Sequence, residues 1–210
     1  GEQINVTEPA TGEVISQLKA ATPSDVDRAA TTARDAQTQW VAVPFDQKAE
    51  ILRKAATLLK ERADEINGWN TRECGSIGPK ADWELQATYE QAQMAAALPM
   101  QPSGEIFPSN MPGKRNYWKR VPIGTVGVIA PWNFPILLAM RSVFPALAMG
   151  NCVILKPDPK SSICGGVLMA KILEDAGLPE GVFHVLPGGP DVGQALVELG
   201  MASEAEVWRI

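Results

Sequence analysis

Three short stretches place polar residues or glycines directly behind apolar runs: "PWNFP" at 131–135, "LKPDP" at 155–159 and "LPGGPDVGQAL" at 186–196. Each has a possible chemistry. Asn133, at the start of a helix, can donate its side-chain N–H to a developing negative charge, with the positive helix end adding to the effect. Asparagine is equally suited to capping that helix, so residue type and spacing leave both readings open. Lys156, ending an apolar run and stiffened by Pro157 and Pro159, can bond ribose hydroxyls or phosphates, or can be an ordinary surface lysine. Gly188, Gly189 and Gly193 allow a backbone to approach a pyrophosphate at a helix N-terminus, or they form a plain glycine turn. The Gly-x-Gly-x-x-Gly fingerprint is absent.

The elements that must carry these stretches alternate. Val126–Ala130 reads as a strand and Phe134–Met149 as a helix capped by Gly150-Asn151. Val153–Lys156 reads as a strand, Ser162–Ala176 as a helix ending at Gly177, Val182–Leu186 as a strand and Asp191–Leu199 as a helix. A βαβαβα order predicts right-handed crossovers and a parallel, doubly wound sheet, whose sites lie at the carboxyl ends of the strands. Those ends are the three stretches above.

Upstream, "NVTEPATGEVISQLKA" predicts an amino-terminal hairpin. Thr22, Pro23 and Asp25 open a helix whose Val26, Ala29, Ala33, Ala36 and Trp40 share a face. A second helix is expected over Gln47–Asn67, with Leu52, Ala55, Leu59, Ala63 and Ile66 as its stripe. A third is expected over Pro79–Ala97, carrying Trp83, Ala87, Glu90 and Met94. "LPMQPSGEIFPSNMPGK" reads as a long loop or arm, and Asn116–Val121 as an exposed or edge strand.

Composition narrows the function classes. The net charge of −5 argues against a nucleic-acid face. The apolar stretch around Phe134–Met149 is interrupted by Arg141, Ser142 and Pro145 and is too short to span a membrane. Cys74, Cys152 and Cys164 lie far apart in the chain, and His184 is the single histidine, so no metal site is expected. Few, scattered cysteines suit a reducing cytoplasmic setting. All three read as small buried or half-buried thiols. For Cys164, in the first turn of a helix, a lowered pKa is the alternative.

"EPATGEVI", "GVIAPWNFP", "PALAMGNCVILKP" and "AGLPEGVFHVLPG" resemble motifs of the amino-terminal half of the aldehyde dehydrogenase superfamily, and the likeness runs from about Asn5 to about Leu199. "RECGSIGPKA", "AMRSVFPALA" and "LKPDPKSS" are most similar to the benzaldehyde (aryl-aldehyde) dehydrogenases. The resemblance implies a family-type α/β fold: amino-terminal helices, part of a Rossmann-like parallel sheet, and an oligomerisation arm. It divides the chain into a hairpin and helical part (1–114), an arm strand (115–122), a cofactor-binding core (123–199) and an atypical tail (200–210). Asn133 matches the oxyanion-hole asparagine. Ile129, Ala130, Pro131, Trp132, Lys156, Gly189 and Gly193 match positions lining NAD or NADP. Phe134, Leu137 and Arg141 match the substrate tunnel. Pro159 stands where many relatives carry a ribose-binding glutamate, and Arg141-Ser142 where many carry Trp-Lys.

The implied reaction is oxidation of an aromatic aldehyde to a carboxylate through a cysteine thiohemiacetal, in a homo-oligomer, dimeric or tetrameric, of a full-length parent. The family's Gly-Gln-x-Cys and Glu-Leu-Gly-Gly motifs do not occur in these 210 residues, and residue 1 is glycine. The expectation is therefore an excised or processed piece that is inactive alone. "LGMASEAEVWRI" has helix-like composition instead of the family's Phe-Thr-Gly-Ser loop. The alternatives are a non-catalytic nucleotide-binding or assembly module, and a semialdehyde dehydrogenase of the same superfamily.

Overall fold

The computed structural model describes residues 1–202 and 206–209. The predicted alternation is present. Strands β5 (Thr125–Ile129), β6 (Cys152–Lys156) and β7 (Phe183–Val185) alternate with helices α5 (Pro135–Ala148), α6 (Leu168–Ala176) and α7 (Pro190–Ala202). The strands are parallel, in the order β7-β6-β5-β8, where β8 (Glu206–Arg209) pairs with β5. The helix-like reading of the tail holds through Ala202, the end of α7, and is corrected at Glu206–Arg209, where the backbone pairs with β5 as a strand. Residues 203–205 and 210 of that tail lie outside the described residues.

Both faces of the sheet are covered, as the fully buried β6 requires. Val153 and Leu155 face a core shared with α2 (Phe45–Glu61), α4 (Gly78–Ala97), α5 and α6. Ile154 faces the opposite way, against Val26, Ala29 and Ala30 of α1 (Pro23–Ala42) and Val192 and Leu196 of α7. α1 begins as expected: the Asp25 carboxylate accepts from the Thr22 N–H at 2.7 Å and from its hydroxyl at 2.8 Å. Trp40 closes the helix with its indole N–H on the Leu147 carbonyl at 3.1 Å.

Asn151 ties the sheet together from a loop. Its Oδ1 accepts from the N–H groups of Ile123 (2.8 Å) and Gly124 (3.1 Å), and its Nδ2 donates to Ala146 at 3.2 Å.

Four readings of the helical region need correction. The helix expected over 47–67 is two helices, α2 and α3 (Ala63–Cys74), broken at Arg62. Arg62 pairs with Glu65 and Asp175, and the break turns Ile66, Asn70 and Glu73 inward. On α4, Trp83, Glu90 and Met94 are exposed, and the buried face is Ala81, Glu84, Leu85, Thr88, Ala92, Ala95 and Ala96. Small and polar residues form that face, so large apolar spacing misplaces it. The supposed loop contains β3 (Gly104–Phe107), which pairs antiparallel with β4 (Asn116–Lys119). The helix expected from Ser162 opens with a 3-10 turn (159–161) and a wider π-type turn (163–167) before α6. The amino-terminal hairpin (β1, Gln3–Thr7; β2, Val14–Lys19) and the exposed β4 agree with expectation.

Candidate functional site

The carboxyl ends of β5, β6 and β7 converge on the π-type turn. A β-carbon on Gly165 would lie 2.9 Å from Pro135 Cβ, and one on Gly166 would lie 2.8 Å from Pro157 Cγ and 2.9 Å from Val185 Cγ1. Only glycine allows the start of α5, the end of β6 and the side of β7 to meet so closely.

Asn133 sits in the turn between β5 and α5 and is exposed. It is not the helix cap, since Phe134 occupies that position. The first free N–H groups of α5, on Ile136 and Leu137, instead donate to Glu84 Oε1 at 2.8 and 3.1 Å. Glu84 is fully buried on α4. Its other oxygen accepts from Asn70 Nδ2 at 2.8 Å and pairs with Lys80 Nζ at 3.3 Å. Ser76 closes the network, donating to Asn70 Oδ1 at 2.7 Å and accepting from Lys80 at 2.8 Å.

The turn is stiffened on both sides of Asn133. The Phe134 ring lies beneath Lys80 Nζ (4.6 Å) and edge-on to Trp83 (5.6 Å). Lys160 Nζ lies 5.3 Å from the Trp132 ring. Among the described residues, the Asn133 side chain bonds no other group, so its amide is available to a ligand.

Lys156 is 7% exposed and pairs in register with Ile129. Its carbonyl accepts from the Ala130 N–H at 3.1 Å. Its stem runs over Gly193, where a β-carbon would meet Cδ and Cε at 3.5 and 3.6 Å. Nζ donates to the Pro157 carbonyl at 3.2 Å, which leaves further donors on the ammonium. Burial pulls its pKa below the ordinary lysine value, against the opposing pull of Asp158 and Asp191. Gly189 begins the same α7 turn, its carbonyl accepting from the Gly193 N–H at 3.3 Å. The structure thus brings Ile129, Ala130, Lys156, Gly189 and Gly193 to one end of the sheet. That arrangement fits a nucleotide: hydrogen-bond donors from Lys156 beside a glycine-backed approach.

Phe134, Leu137 and Arg141 fall on one stripe at the start of α5 by helical spacing. Arg141, with Arg120, Ile123 and Met149, lines a cavity of about 380 Å³ that does not include Phe134 or Leu137. A larger cavity, about 660 Å³, lies between the start of α1 and His184–Pro187 and contains none of the expected site residues.

The cysteines hold a surprise. Cys74 and Cys164, separated by 90 residues, bring their Sγ atoms to 3.4 Å. Glu73 sits beside them, accepting from the N–H groups of Ile163 (2.8 Å) and Cys164 (2.7 Å). The alternative of a lowered Cys164 pKa is overturned: contact with Cys74, burial and neighbouring Glu73 hold it well above the ordinary thiol value. Glu73, Glu84, Asn70 and Lys80 were absent from the sequence reading. A signal was available at α5, where Phe134-Pro135 supplies no side-chain cap and another element had to satisfy the first N–H groups; at Ser162, a good capping type that makes no cap bond, the sequence carried none.

Residues 1–201 match the sequence model of the Aldehyde dehydrogenase family. The chain belongs to the aldehyde dehydrogenase family. It is 54% identical over 197 residues to the benzaldehyde dehydrogenase [NAD(+)] of Pseudomonas putida, covering 94% of this chain and 40% of that protein. It is 50% identical over 198 residues to the vanillin dehydrogenase of Amycolatopsis sp., covering 94% and 40% respectively. Among solved structures, an NAD-dependent benzaldehyde dehydrogenase from Corynebacterium glutamicum superimposes with a TM-score of 0.90 at 41% identity, covering 93% of this chain and 42% of that one. The chain therefore spans about two fifths of the length of these relatives. Among the described residues, no helix is long and apolar enough to cross a membrane.

Proposed function

We propose that this chain is the cofactor-binding part of an enzyme that oxidises an aromatic aldehyde to a carboxylate with NAD or NADP. The observation that carries the reading is Asn133. Its amide has no partner among the described residues, while the helix behind it is capped by Glu84. Likeness to relatives named for benzaldehyde and vanillin supports the aromatic substrate.

When bound, the nicotinamide group would supply a hydride acceptor. Lys156 would bond the adenosine ribose, with Ile129, Ala130, Pro131 and Trp132 along the cofactor and Gly189 and Gly193 flanking the adenine side. Phe134, Leu137 and Arg141 line the entry for the aldehyde. A cysteine thiolate supplied outside these 210 residues adds to the carbonyl carbon, and the oxygen becomes negative. Asn133 donates to that oxygen. Because Trp132 and Phe134 are already held by Lys160, Lys80 and Trp83, the donor needs little reorganisation. The exposed β3–β4 hairpin, with Ile106 and Tyr117 each 75% exposed, supports a role in homo-oligomer assembly.

Asn133→Ala in the whole enzyme is expected to lower kcat about a hundredfold or more, with cofactor KM little changed. An unchanged kcat would remove the oxyanion role. The 210-residue chain alone is expected to produce no NADH or NADPH from benzaldehyde, and turnover by it would overturn that part of the reading.

A further inference from the structure

Cys74 ends α3, and Cys164 lies in the π-type turn that follows β6. Their sulfurs touch at 3.4 Å although 90 residues of chain separate them. With Glu73 they form the one cluster of three metal-type ligands among the described residues. Both Glu73 oxygens, however, are already used by the N–H groups of Ile163 and Cys164. The carboxylate is a cap, and what remains is two thiols facing each other. The third cysteine, Cys152, is buried in β6 with its pKa pushed up to about 12 by burial, which keeps it a protonated, unreactive thiol.

We propose that Cys74 and Cys164 form a peroxide-sensitive dithiol that closes to a disulfide. The two positions differ in access: Cys74 is half-buried, and Cys164 is completely buried. Peroxide therefore reaches Cys74 first. The Cys74 thiolate attacks one oxygen of hydrogen peroxide, the O–O bond breaks, and hydroxide leaves and takes up the Cys74 proton as water. Cys74 then carries a sulfenic acid. The Cys164 sulfur attacks the Cys74 sulfur, the S–S bond forms as the S–O bond breaks, and the second oxygen leaves as water with the Cys164 proton. Two thiols and one peroxide become one disulfide and two waters, and the two electrons lost by sulfur reduce the peroxide.

Cys164, already in contact with Cys74, is placed to act as the resolving thiol and gives up its proton as it attacks. Closing from 3.4 Å to the roughly 2.05 Å of a disulfide needs only a small approach of the two side chains. The bond would fasten the end of α3 to the turn behind Lys156, where Cys74 Sγ already donates to the Lys160 carbonyl at 3.5 Å.

The test is intact-mass and peptide analysis of the native chain after hydrogen peroxide. Trypsin separates the cysteines onto Glu73–Lys80, Ser142–Lys160 and Ser161–Lys171. The expected result is a loss of about two mass units, with Glu73–Lys80 and Ser161–Lys171 joined and released by dithiothreitol, and Cys152 still free. The unfolding temperature of the oxidised chain is expected to rise by about 5–10 °C, as for a disulfide closing a long loop. Cys74→Ser is expected to abolish the mass loss and leave Cys164 reduced. A sulfinic acid accumulating on Cys74 beside a free Cys164, or retention of all three thiols, overturns the proposal; both outcomes are read on the unsubstituted chain.

Discussion

Two buried glutamates from the helical layer do the same structural work in different company. Glu84 of α4 caps the start of α5, behind β5. Glu73 of α3 caps the turn behind β6. Glu84 is balanced by Lys80 and hydrogen-bonded by Asn70, within a network that ends on Ser76. Among the described residues no Lys or Arg pairs with Glu73, whose neighbours are the Cys164 and Cys74 thiols. Its carboxyl is accordingly raised by burial, against the lowering effect of the two N–H bonds and the Cys164 thiol. The contrast separates a scaffold from a responsive element. The charge-balanced cap holds the turn that presents Asn133. The cap without a counter-ion sits where protonation and thiol chemistry can act.

The comparison can be broken most sharply at Glu84. Glu84→Ala strands the Ile136 and Leu137 N–H groups and deprives Lys80 and Asn70 of their partner. It is expected to destabilise the chain by about 3 kcal/mol or more in urea unfolding. A loss below about 1 kcal/mol would mean that water replaces the carboxylate and that the α5 start is not held from α4. The effect on the whole enzyme should mimic a weak Asn133 defect, because the amide's position depends on that start.

Glu73 sharpens the comparison by a smaller, pH-dependent effect. Its folded-state pKa lies above the unfolded value of about 4.5, so the folded chain binds the extra proton. The stability it contributes is complete below about pH 4.5 and is lost as pH rises through the raised value. Glu73→Gln keeps one acceptor and cannot titrate, so that part of the slope should vanish from a plot of urea midpoint against pH. An unaltered slope would assign the titration to another group.

The alternating sheet was legible because its segments obey strong local rules: apolar strands, a glycine at the end of α6, and loops dense in proline and glycine. The position of Lys156 at the end of an apolar strand was legible for the same reason, whereas its stem's passage over Gly193 of α7 comes from the packing of that helix on the sheet. The helical layer was harder. Its α4 interface uses alanine, Thr88 and Glu84, and a stripe drawn through Trp83 and Met94 points to solvent instead. The break at Arg62 depends on partners 113 residues distant in the case of Asp175. The Cys74–Cys164 contact is a product of tertiary structure alone, and no local pattern could announce it.

Asn151 has a consequence for hydrogen exchange. Ile123 and Gly124 precede β5 and belong to no strand, and the Ile123 side chain is 43% exposed. Their amide hydrogens nevertheless bond to a buried carboxamide that is itself anchored to the end of α5. Those two amides can exchange with solvent only when the β5–α5–β6 unit opens as a whole, so they should be protected like the strand interior they adjoin, and Asn151→Ala should release them first.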